Sequence, residues 1–341
     1  MMKKKTHRLF SLVWILLLTA TGCSRPSGYV RTSGMIWNTS YHITFSGDPS
    51  LADSVMRVLN EVGGSLNVFD STSLVSRVNR LPESEVDSHF IRVYEESRKI
   101  NEASGGMFDP TLSPLITAWG FGKGHKITPD TAAIDSVLKF VGIKKTFLDK
   151  GRIIKNDSRT QFNFSAIAKG YGCDMVAEML ERNGVRDYLV EIGGEIASGG
   201  NAPGGRRWRI SIDSPSENNI NSKESGAVIE IGNDGIATSG NYRNFHTEGG
   251  KNLGHTISPL SGRPVKTDIL SATVIAPTCM EADAVATACM ATGMEGAISI
   301  LKRLNLDGML IREDSTVWHS EGFRKRLISA ESSEPGRRGR N

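Results

Sequence analysis

A run of small apolar residues at positions 280–292, MEADAVATACMAT, contains the acidic residue Asp283 and has no basic residue. On a helix, Asp283 and Thr287 would lie four residues apart on one face. A carboxylate and a hydroxyl on one face are hard oxygen ligands of the kind that magnesium or calcium takes. A second interpretation stays open, because Glu281 and Asp283 follow Pro277 and are also explained as first-turn acids favoured by the helix dipole.

Two further stretches carry charged side chains that could meet a ligand. In GGMFDPTLSPL, the carboxylate of Asp109 could accept hydrogen bonds from a ribose or a ring, or it could form a structural Asx turn. In FNFSAIAKGYGCD, Lys169 falls in the first turn of a predicted helix, where the helix dipole disfavours a cation. An anion bound at this helix start would explain Lys169, and so would simple exposure to solvent.

The segment 235–264, GIATSGNYRNFHTEGGKNLGHTISPLSGRP, is rich in Gly, Ser, Thr, Asn and His and is typical of a strand–loop–strand that lines a site. Its His255 is a candidate proton acceptor, although a hydrogen-bonded loop histidine is an equally ordinary interpretation. The chain contains no Gly-x-x-x-x-Gly-Lys-Ser/Thr phosphate loop, no Gly-x-Gly-x-x-Gly after a strand and no Gly-x-Ser-x-Gly elbow. Any phosphorylated ligand is therefore held in another way.

The N-terminus has the features of a bacterial lipoprotein signal. A basic start, MMKKKTHR, precedes an apolar stretch from Leu12 to Leu18 and the small residues Ala20-Thr21-Gly22 before Cys23. The apolar stretch is too short to span a bilayer, which takes roughly 20 apolar residues. These features predict a signal peptide over 1–22, lipidation at Cys23, a linker over 23–33, a folded domain over 34–328 and a disordered tail over 329–341. An ordinary cleaved signal, with Cys23 incidental, is the alternative.

Charge and cysteine content argue against several classes of protein. The formal charge is +4, but the predicted signal removes Lys3, Lys4, Lys5 and Arg8, and no basic stripe remains that would bind nucleic acid. The other cysteines, Cys173, Cys279 and Cys289, are odd in number and form no CxxC motif, which argues against a disulfide framework. Cys173 and Cys289 lie in apolar, helix-like contexts and are predicted to be buried. The scattered histidines give no support to a structural zinc site.

Periodicity predicts a mixture of helices and strands. Alternation around YHITF predicts a strand over 28–46, and apolar residues at helical spacing predict a helix over 51–68. A helix in ITPDTAAIDSVLKFVG is predicted with Thr128 as N-cap, Pro129 at its first position and Gly142 after its end. The other main predicted elements are helices over 89–104 and 165–183 and in EGAISILKRL, and the strands DYLVEI, RWRISID, GAVIEI, SATVIAP and GMLI. Strands and helices do not alternate strictly, which predicts an α+β fold with substantial antiparallel sheet.

Several of these stretches resemble, in the same order, the motifs of a known family. They are GxFDPT followed by WGFG, AIAKGYxxD, YLVxIGGE, ATSGNYRNF, HxIxPxxGxP and TVIAPT followed by EADAVAT, and they extend over residues 34–326. Together they make the chain similar to the ApbE family, the FAD:protein FMN transferases. The resemblance implies an α+β, ApbE-type flavin transferase fold, with mixed and antiparallel sheets, flanking helices and a flavin cleft.

The same resemblance implies which residues form the site. Magnesium would bind the backbone carbonyl of Ala166, the carboxylate of Asp283 and the hydroxyl of Thr287, and His255 would act as base toward the acceptor hydroxyl. FAD would be the substrate. The implied flavin contacts are Trp37, Phe69, Met107, Phe108, Asp109, Asn163, Lys169 and Ile257.

The chain departs from the usual family pattern at a few positions. Trp37-Asn38-Thr39 stands where Met-Gly-Thr is usual, and Ser258 replaces an Asp. Asn163 replaces a frequent Asp, which removes a charge and keeps a hydrogen-bond acceptor. Ala286 stands where an acid is sometimes found and offers only its backbone.

Members of the family are bacterial lipoproteins that attach FMN to other proteins, so the resemblance implies an exported protein, lipid-anchored to the membrane and facing the periplasm. A threonine or serine in a Ser/Asp-Gly-Ala-Thr-like motif would take the FMN, and AMP would leave. The acceptor would be a subunit of a sodium-pumping quinone reductase or a related electron-transfer complex. Two alternatives remain: a magnesium-dependent FAD pyrophosphatase that yields FMN and AMP, and a non-enzymatic flavin-binding lipoprotein.

Overall fold

The computed structural model describes residues 28–120, 130–213, 225–240, 245–248, 251–254 and 256–328. The predicted lipidation site Cys23 and the predicted base His255 lie outside these residues, as do the predicted signal peptide and tail.

The helices are α1 (Leu51–Leu66), α2 (Leu74–Arg80), α3 (Ser88–Ala103), α4 (Ser113–Ala118), α5 (Thr131–Leu138), α6 (Ala168–Arg182), α7 (Cys279–Leu304) and α8 (Glu321–Arg326), with a 3-10 turn at Ile143–Lys145. The strands are β1 (Tyr29–Ile36), β2 (Thr39–Ser46), β3 (Glu83–Glu85), β4 (Thr146–Asp149), β5 (Arg152–Lys155), β6 (Tyr188–Ile192), β7 (Glu195–Gly199), β8 (Trp208–Asp213), β9 (Ser225–Ile231), β10 (Gly235–Gly240), β11 (Phe245–Glu248), β12 (Lys251–Gly254), β13 (Ile269–Ala276), β14 (Asp307–Arg312) and β15 (Val317–His319).

The main sheet has eight strands in the order β1-β2-β6-β7-β10-β13-β14-β15. Neighbouring strands in it pair antiparallel throughout. The remaining strands form the smaller sheets β3-β5-β4, β8-β9 and β11-β12. This arrangement confirms the predicted α+β fold with antiparallel sheet.

Helices α1, α6 and α7 cover one face of the main sheet. Successive strand residues point to opposite faces, so the alternate residues Ile43 of β2 and Val190 of β6 face these helices. They pack with Leu59 of α1 and Val176 of α6 in one buried cluster. A second buried cluster, toward β13, contains Val274 and the small side chains of α7.

The opposite face of the sheet is covered by the β8-β9 pair and α8. Ile236 of β10 and Ile275 of β13 point to this side and are buried against Trp208 and Phe323. The central strands are therefore buried on both faces.

Two predicted elements differ from the structure. The single strand predicted over 28–46 is a hairpin of β1 and β2, because Trp37 and Asn38 take left-handed backbone angles (φ 49° and 63°) that reverse the chain. The helix predicted with Thr128 as N-cap begins at Thr131, where the Asp130 side chain accepts a hydrogen bond from the backbone N–H of Ala133. Thr128 and Pro129 lie outside the described residues. The short elements α2, α4, α8, β3, β7, β11, β12 and β15 are not distinguished by periodicity.

The longest helix, α7, lies in the core. Among the described residues it is long and apolar enough to cross a membrane, but 61% of its apolar window is buried within the fold. Its two predicted segments join at Gly293, whose φ of 72° and ψ of 177° break the helical path. Cys173, Cys279 and Cys289 are buried free thiols, which confirms the prediction for Cys173 and Cys289.

Trp37 is wedged between two helices. A Cβ at Gly63 of α1 would come within 2.5 Å of the indole, and one at Gly172 of α6 within 2.6 Å. The two glycines therefore make room for the ring, and Trp37 fixes the β1-β2 hairpin against α1 and α6.

Gly63→Ala should lower the free energy of unfolding by about 1–3 kcal/mol, because the new methyl group would overlap the indole of Trp37. Gly64→Ala, one residue along the same helix, should raise it by about 0.5–1 kcal/mol, because alanine favours a helix and nothing lies within 4 Å of the added carbon. Urea unfolding measures both variants. Equal effects at the two positions would show that Trp37 is not confined between these helices.

Candidate active site

A cavity of about 640 Å³ lies at the junction of α6, α7 and strands β7, β8 and β10. This volume falls within the range of small-molecule sites, about 300–1,000 Å³. Most of the predicted site residues line it, namely Met107, Phe108, Asp109, Asn163, Ala166, Lys169, Ile257, Asp283 and Thr287. The fold thus gathers segments that are far apart along the chain.

Asp283 lies at the cavity wall in the second turn of α7 and is only 2% exposed. Its Oδ2 accepts a hydrogen bond from the backbone N–H of Gly170 in α6, at 3.0 Å. Glu281, in contrast, is in the first turn of α7 and pairs with Lys99 at 3.3 Å. The helix-dipole interpretation therefore applies to Glu281, whereas Asp283 belongs to the cavity.

Asp283 reaches Gly170 because the N-terminal turns of α6 and α7 are in direct contact. A Cβ on Gly170 would overlap the backbone carbonyl of Cys279 and come within 2.9 Å of the Asp283 Cβ. Glycine at position 170 is therefore required by the close approach of the two helices.

Lys169 places its ammonium group between two carboxylates. Its Nζ lies 2.5 Å from Glu195 Oε1 and 3.8 Å from Asp283 Oδ1. Burial alone would lower the pKa of Lys169, but the charges of Asp283 and Glu195 outweigh it and raise the pKa above its ordinary value. These two carboxylates, rather than solvent, account for a lysine in the first turn of α6.

The two carboxylates are held in an unfavourable environment. Burial raises the pKa of Glu195, the charge of Asp283 adds to this effect, and Lys169 opposes it. Burial likewise raises the pKa of Asp283, against the Lys169 charge and the Gly170 hydrogen bond. Within the described part of the chain, Glu195 Oε2 is buried without a hydrogen-bond partner. A cation bound nearby would relieve this excess of negative charge.

The residues predicted to bind magnesium come together at this wall. Ala166, Asp283 and Thr287 all line the cavity, and Thr287 Oγ1 lies 3.4 Å from Ser239 Oγ of β10. Among the described residues, no group of three or more His, Cys, Asp and Glu side chains could hold a metal by itself. Magnesium typically takes one or two carboxylates and fills its other positions with water and substrate phosphates. The residues present therefore fit magnesium together with a phosphorylated ligand.

A sequence model of the ApbE family matches residues 37–310, a range that includes every cavity residue named above. The chain belongs to the ApbE family. An FAD:protein FMN transferase from Vibrio cholerae is 34% identical to it, over 94% of this chain and 97% of that protein. An FAD:protein FMN transferase from Haemophilus influenzae is 32% identical, over 91% and 93% of the two chains.

Solved ApbE structures have the same fold. The flavin transferase ApbE from Vibrio cholerae matches with a TM-score of 0.79 at 30% identity, over 89% of this chain and 100% of that one. The apo form of Pseudomonas stutzeri flavinyl transferase ApbE matches with a TM-score of 0.81 at 27% identity, over 88% and 97%. These matches confirm the ApbE-type fold that the sequence motifs imply.

Two of the polar residues predicted to contact flavin fix the backbone of this ApbE cavity. Asp109 Oδ1 accepts hydrogen bonds from the N–H and hydroxyl of Thr111, at 2.8 and 2.6 Å, and Oδ2 accepts one from Ile143 N at 2.9 Å. Asn163 Oδ1 accepts a hydrogen bond from Ser165 N at 2.9 Å. The structure bears out the Asx-turn interpretation of Asp109, and its contact with flavin stays a prediction.

Apolar residues form another part of the cavity wall. Phe108 and Ile257 are buried, and Met107 lies beside them at the wall. Ile257 pairs with Pro264 across a tight loop that is fixed from outside, because Trp119 Nε1 donates a hydrogen bond to the Gly262 carbonyl at 2.7 Å. This wall could accept an aromatic ring, as the predicted flavin contacts require.

Two predicted flavin contacts lie outside the cavity wall. Trp37 is wedged between α1 and α6, and Phe69 is 58% exposed in the loop after α1. A flavin contact at either residue stays a prediction. The predicted base His255 immediately precedes Thr256 and Ile257, which both line the cavity.

Two acidic residues that shape the site, Glu195 and Asp174, end motifs that carry the family resemblance, but the sequence analysis gave neither of them a role. Glu195 follows the Gly-Gly turn in YLVEIGGEIASG, and an acid at the head of a buried strand is the signal that could have identified it. Asp174 of α6 accepts hydrogen bonds from Cys279 N and Met280 N, both at 2.8 Å, and so caps α7 from the neighbouring helix. Burial raises the pKa of Asp174 to about 7, and the two backbone hydrogen bonds oppose this shift.

Asp174→Asn should lower the free energy of unfolding by about 1–3 kcal/mol, because an amide NH₂ would face a backbone N–H that loses its acceptor. Asp53→Asn is the matched control, since Asp53 is an exposed acid in the first turn of α1 and should change stability by less than about 0.5 kcal/mol. Urea unfolding curves compare the two. A loss no greater than that of the control would contradict the capping role.

Proposed function

We propose that this ApbE protein transfers the FMN half of FAD to a hydroxyl group of an acceptor protein and releases AMP. The main support is the buried carboxylate of Asp283, which lies 3.8 Å from the half-buried ammonium group of Lys169 at the wall of a ligand-sized cavity, in a chain whose relatives are named FAD:protein FMN transferase. The acceptor oxygen attacks the phosphorus of the FMN half. The bond from that phosphorus to the bridging oxygen breaks, its electron pair leaves with AMP, and the hydroxyl proton passes to a base.

The charge of the cavity wall supports a divalent cation at the site. Its described lining residues include two buried carboxylates, Glu195 and Asp283, that share the ammonium group of Lys169. A diphosphate adds further negative charge, which a single ammonium group cannot balance. A bound divalent cation would supply the missing positive charge.

We assign this cation as magnesium, held by the Ala166 carbonyl, the Asp283 carboxylate and the Thr287 hydroxyl, as the family resemblance implies. When bound, magnesium would neutralise charge on the diphosphate and act as a Lewis acid toward it. Asp283 is already oriented by the Gly170 N–H, and Lys169 is already oriented by Glu195. Both groups are therefore positioned before the substrate arrives, which is how an electrostatic site lowers a barrier.

The remaining assignments come from the family resemblance. His255 would take the proton of the acceptor hydroxyl, a threonine or serine in a Ser/Asp-Gly-Ala-Thr-like motif. The acceptor would be a subunit of a sodium-pumping quinone reductase or a related electron-transfer complex. Lipidation at Cys23 would anchor the exported chain to the membrane, where it would face such a complex in the periplasm.

The reaction is tested by incubating the protein with FAD, Mg²⁺ and an acceptor protein that carries the threonine motif. A fluorescent flavin band that migrates with the acceptor on a denaturing gel supports transfer. Free FMN and AMP without such a band would support the FAD pyrophosphatase alternative, and unchanged FAD the flavin-binding lipoprotein. An acceptor with alanine in place of the motif threonine is the control, and it should remain unlabelled.

Asp283→Asn should slow Mg²⁺-dependent transfer by about 100-fold or more, because the amide keeps the shape of the side chain and removes the charge that faces the cation. Glu281→Gln is the matched control, because Glu281 lies on the same helix and pairs with Lys99 outside the cavity wall. Initial rates at saturating FAD compare the two variants. Wild-type transfer by Asp283→Asn would rule out Asp283 as the cation ligand.

His255→Ala should leave FAD affinity within about 2-fold of wild type and slow the transfer step by about 10²–10⁴-fold, the usual contribution of a general base. Flavin fluorescence titration gives the affinity, and single-turnover labelling of the acceptor gives the rate. An unchanged single-turnover rate would remove His255 from the mechanism.

A further inference from the structure

Glu195 is a buried carboxylate for which the family resemblance implies no role. It begins β7 at the cavity wall and is 4% exposed. Its backbone is fixed within the main sheet, where it pairs with Ile192 of β6. Its Oε1 meets Lys169 Nζ, whereas Oε2 is buried with no hydrogen-bond partner in the described part of the chain. An unpartnered buried carboxylate oxygen costs stability, so stability alone does not explain this glutamate.

The position of Lys169 between the two carboxylates is asymmetric. The ammonium group is within hydrogen-bonding distance of Glu195 Oε1, at 2.5 Å, whereas the 3.8 Å separation from Asp283 Oδ1 is too long for any hydrogen bond. The Lys169 ammonium group is therefore paired with Glu195 and not with Asp283. Asp283 accepts its described hydrogen bond from the Gly170 backbone and keeps its other oxygen, Oδ1, for a further partner.

The turn before β7 sets this asymmetry. Gly193 has a φ of 64°, and a Cβ there would come within 2.8 Å of the Thr39 hydroxyl and 3.4 Å of the Lys169 Cδ. The chain therefore passes directly along the lysine side chain and then presents Glu195 to its ammonium group. A lysine released from Glu195 would have Asp283 as the nearest carboxylate in the same pocket.

We propose that Glu195 is a positioning residue that holds the Lys169 ammonium away from Asp283 and so keeps the Asp283 carboxylate available to a divalent cation. The inference rests on the proposed function in one respect, which is that Asp283 binds a cation. The Lys169 ammonium group and a divalent cation would compete for the Asp283 carboxylate. Glu195 favours the cation, because it binds the ammonium group itself.

Glu195→Asp tests this role, because aspartate keeps the negative charge and shortens the side chain by one methylene group. The probe is Mn²⁺, which prefers the same oxygen ligands as Mg²⁺, added to the full chain without and with FAD and followed by the loss of its free-ion EPR signal. We expect the dissociation constant for Mn²⁺ to rise about 10-fold, at the lower end of the effect of residues that support metal ligands. Unchanged affinity would overturn the proposal.

The Lys169→Met background shows whether Glu195 acts through the lysine. Without the ammonium group there is no competitor for Asp283, so Glu195→Asp should then change the Mn²⁺ dissociation constant by less than about 2-fold. A full 10-fold loss in this background would overturn the proposal, because it would make Glu195 a direct cation ligand or a purely structural residue.

Glu191→Asp is the matched control. Glu191 also lines the cavity, but it meets His42 Nδ1 at 2.6 Å and accepts a hydrogen bond from Gly194 N, so it should not affect Mn²⁺ affinity. Thermal melting followed by circular dichroism checks that each variant folds. If Glu195→Asp does not fold, Glu195→Gln replaces it in both backgrounds, and the same dependence on Lys169 is expected.

The outcomes separate this inference from the proposed function. If the wild-type chain binds no Mn²⁺ either alone or with FAD present to complete its coordination, the cation assignment of Asp283 fails and the role of Glu195 fails with it. If the wild-type chain binds Mn²⁺ and Glu195→Asp binds it equally well, only the role of Glu195 is wrong.

Discussion

The central constraint in this structure is the burial of two carboxylates, Glu195 and Asp283, around the single ammonium group of Lys169. A buried charge is tolerated only when partners replace the water that it loses. Here the ammonium group and the Gly170 N–H supply those partners, but among the described residues they leave Glu195 Oε2 without a hydrogen bond and Asp283 Oδ1 only 3.8 Å from the ammonium group. The pocket therefore fixes the positions of the Glu195 and Asp283 carboxylates but neutralises their negative charge only in part.

This constraint explains the unusual composition of α7. The helix must lie against α6 closely enough for Asp283 to reach a backbone N–H, and it must also pack on the sheet. Ala282, Ala284, Ala286 and Ala288 are fully buried, and larger side chains would separate α7 from the elements packed around it. The apolar run around Asp283 thus follows from the close helix packing that places the carboxylate.

The sequence was informative wherever the relevant partner was close along the chain. Four-residue spacing was sufficient to place Asp283 and Thr287 on one helix face, and periodicity located the long helices. Glu195 could not be found in this way, because it meets Lys169 only through the β6-β7 turn and the packing of α6 on the sheet. The Asx turn of Asp109 was an open alternative, since the same Asp-Pro dipeptide suits a ligand contact and a turn equally well.

The charge of the cavity wall links the cation and the diphosphate in the proposed reaction. Two buried carboxylates, Glu195 and Asp283, share one ammonium group among the described lining residues, so a diphosphate alone would meet repulsion there. The same residues provide no cluster of three acidic, histidine or cysteine ligands, so a cation alone would be incompletely coordinated. Each ligand supplies what the other lacks, because phosphate oxygens complete the coordination of the cation and the cation offsets the acidic wall. Binding of the two should therefore be mutually reinforcing, and by linkage each should increase the affinity for the other by the same factor.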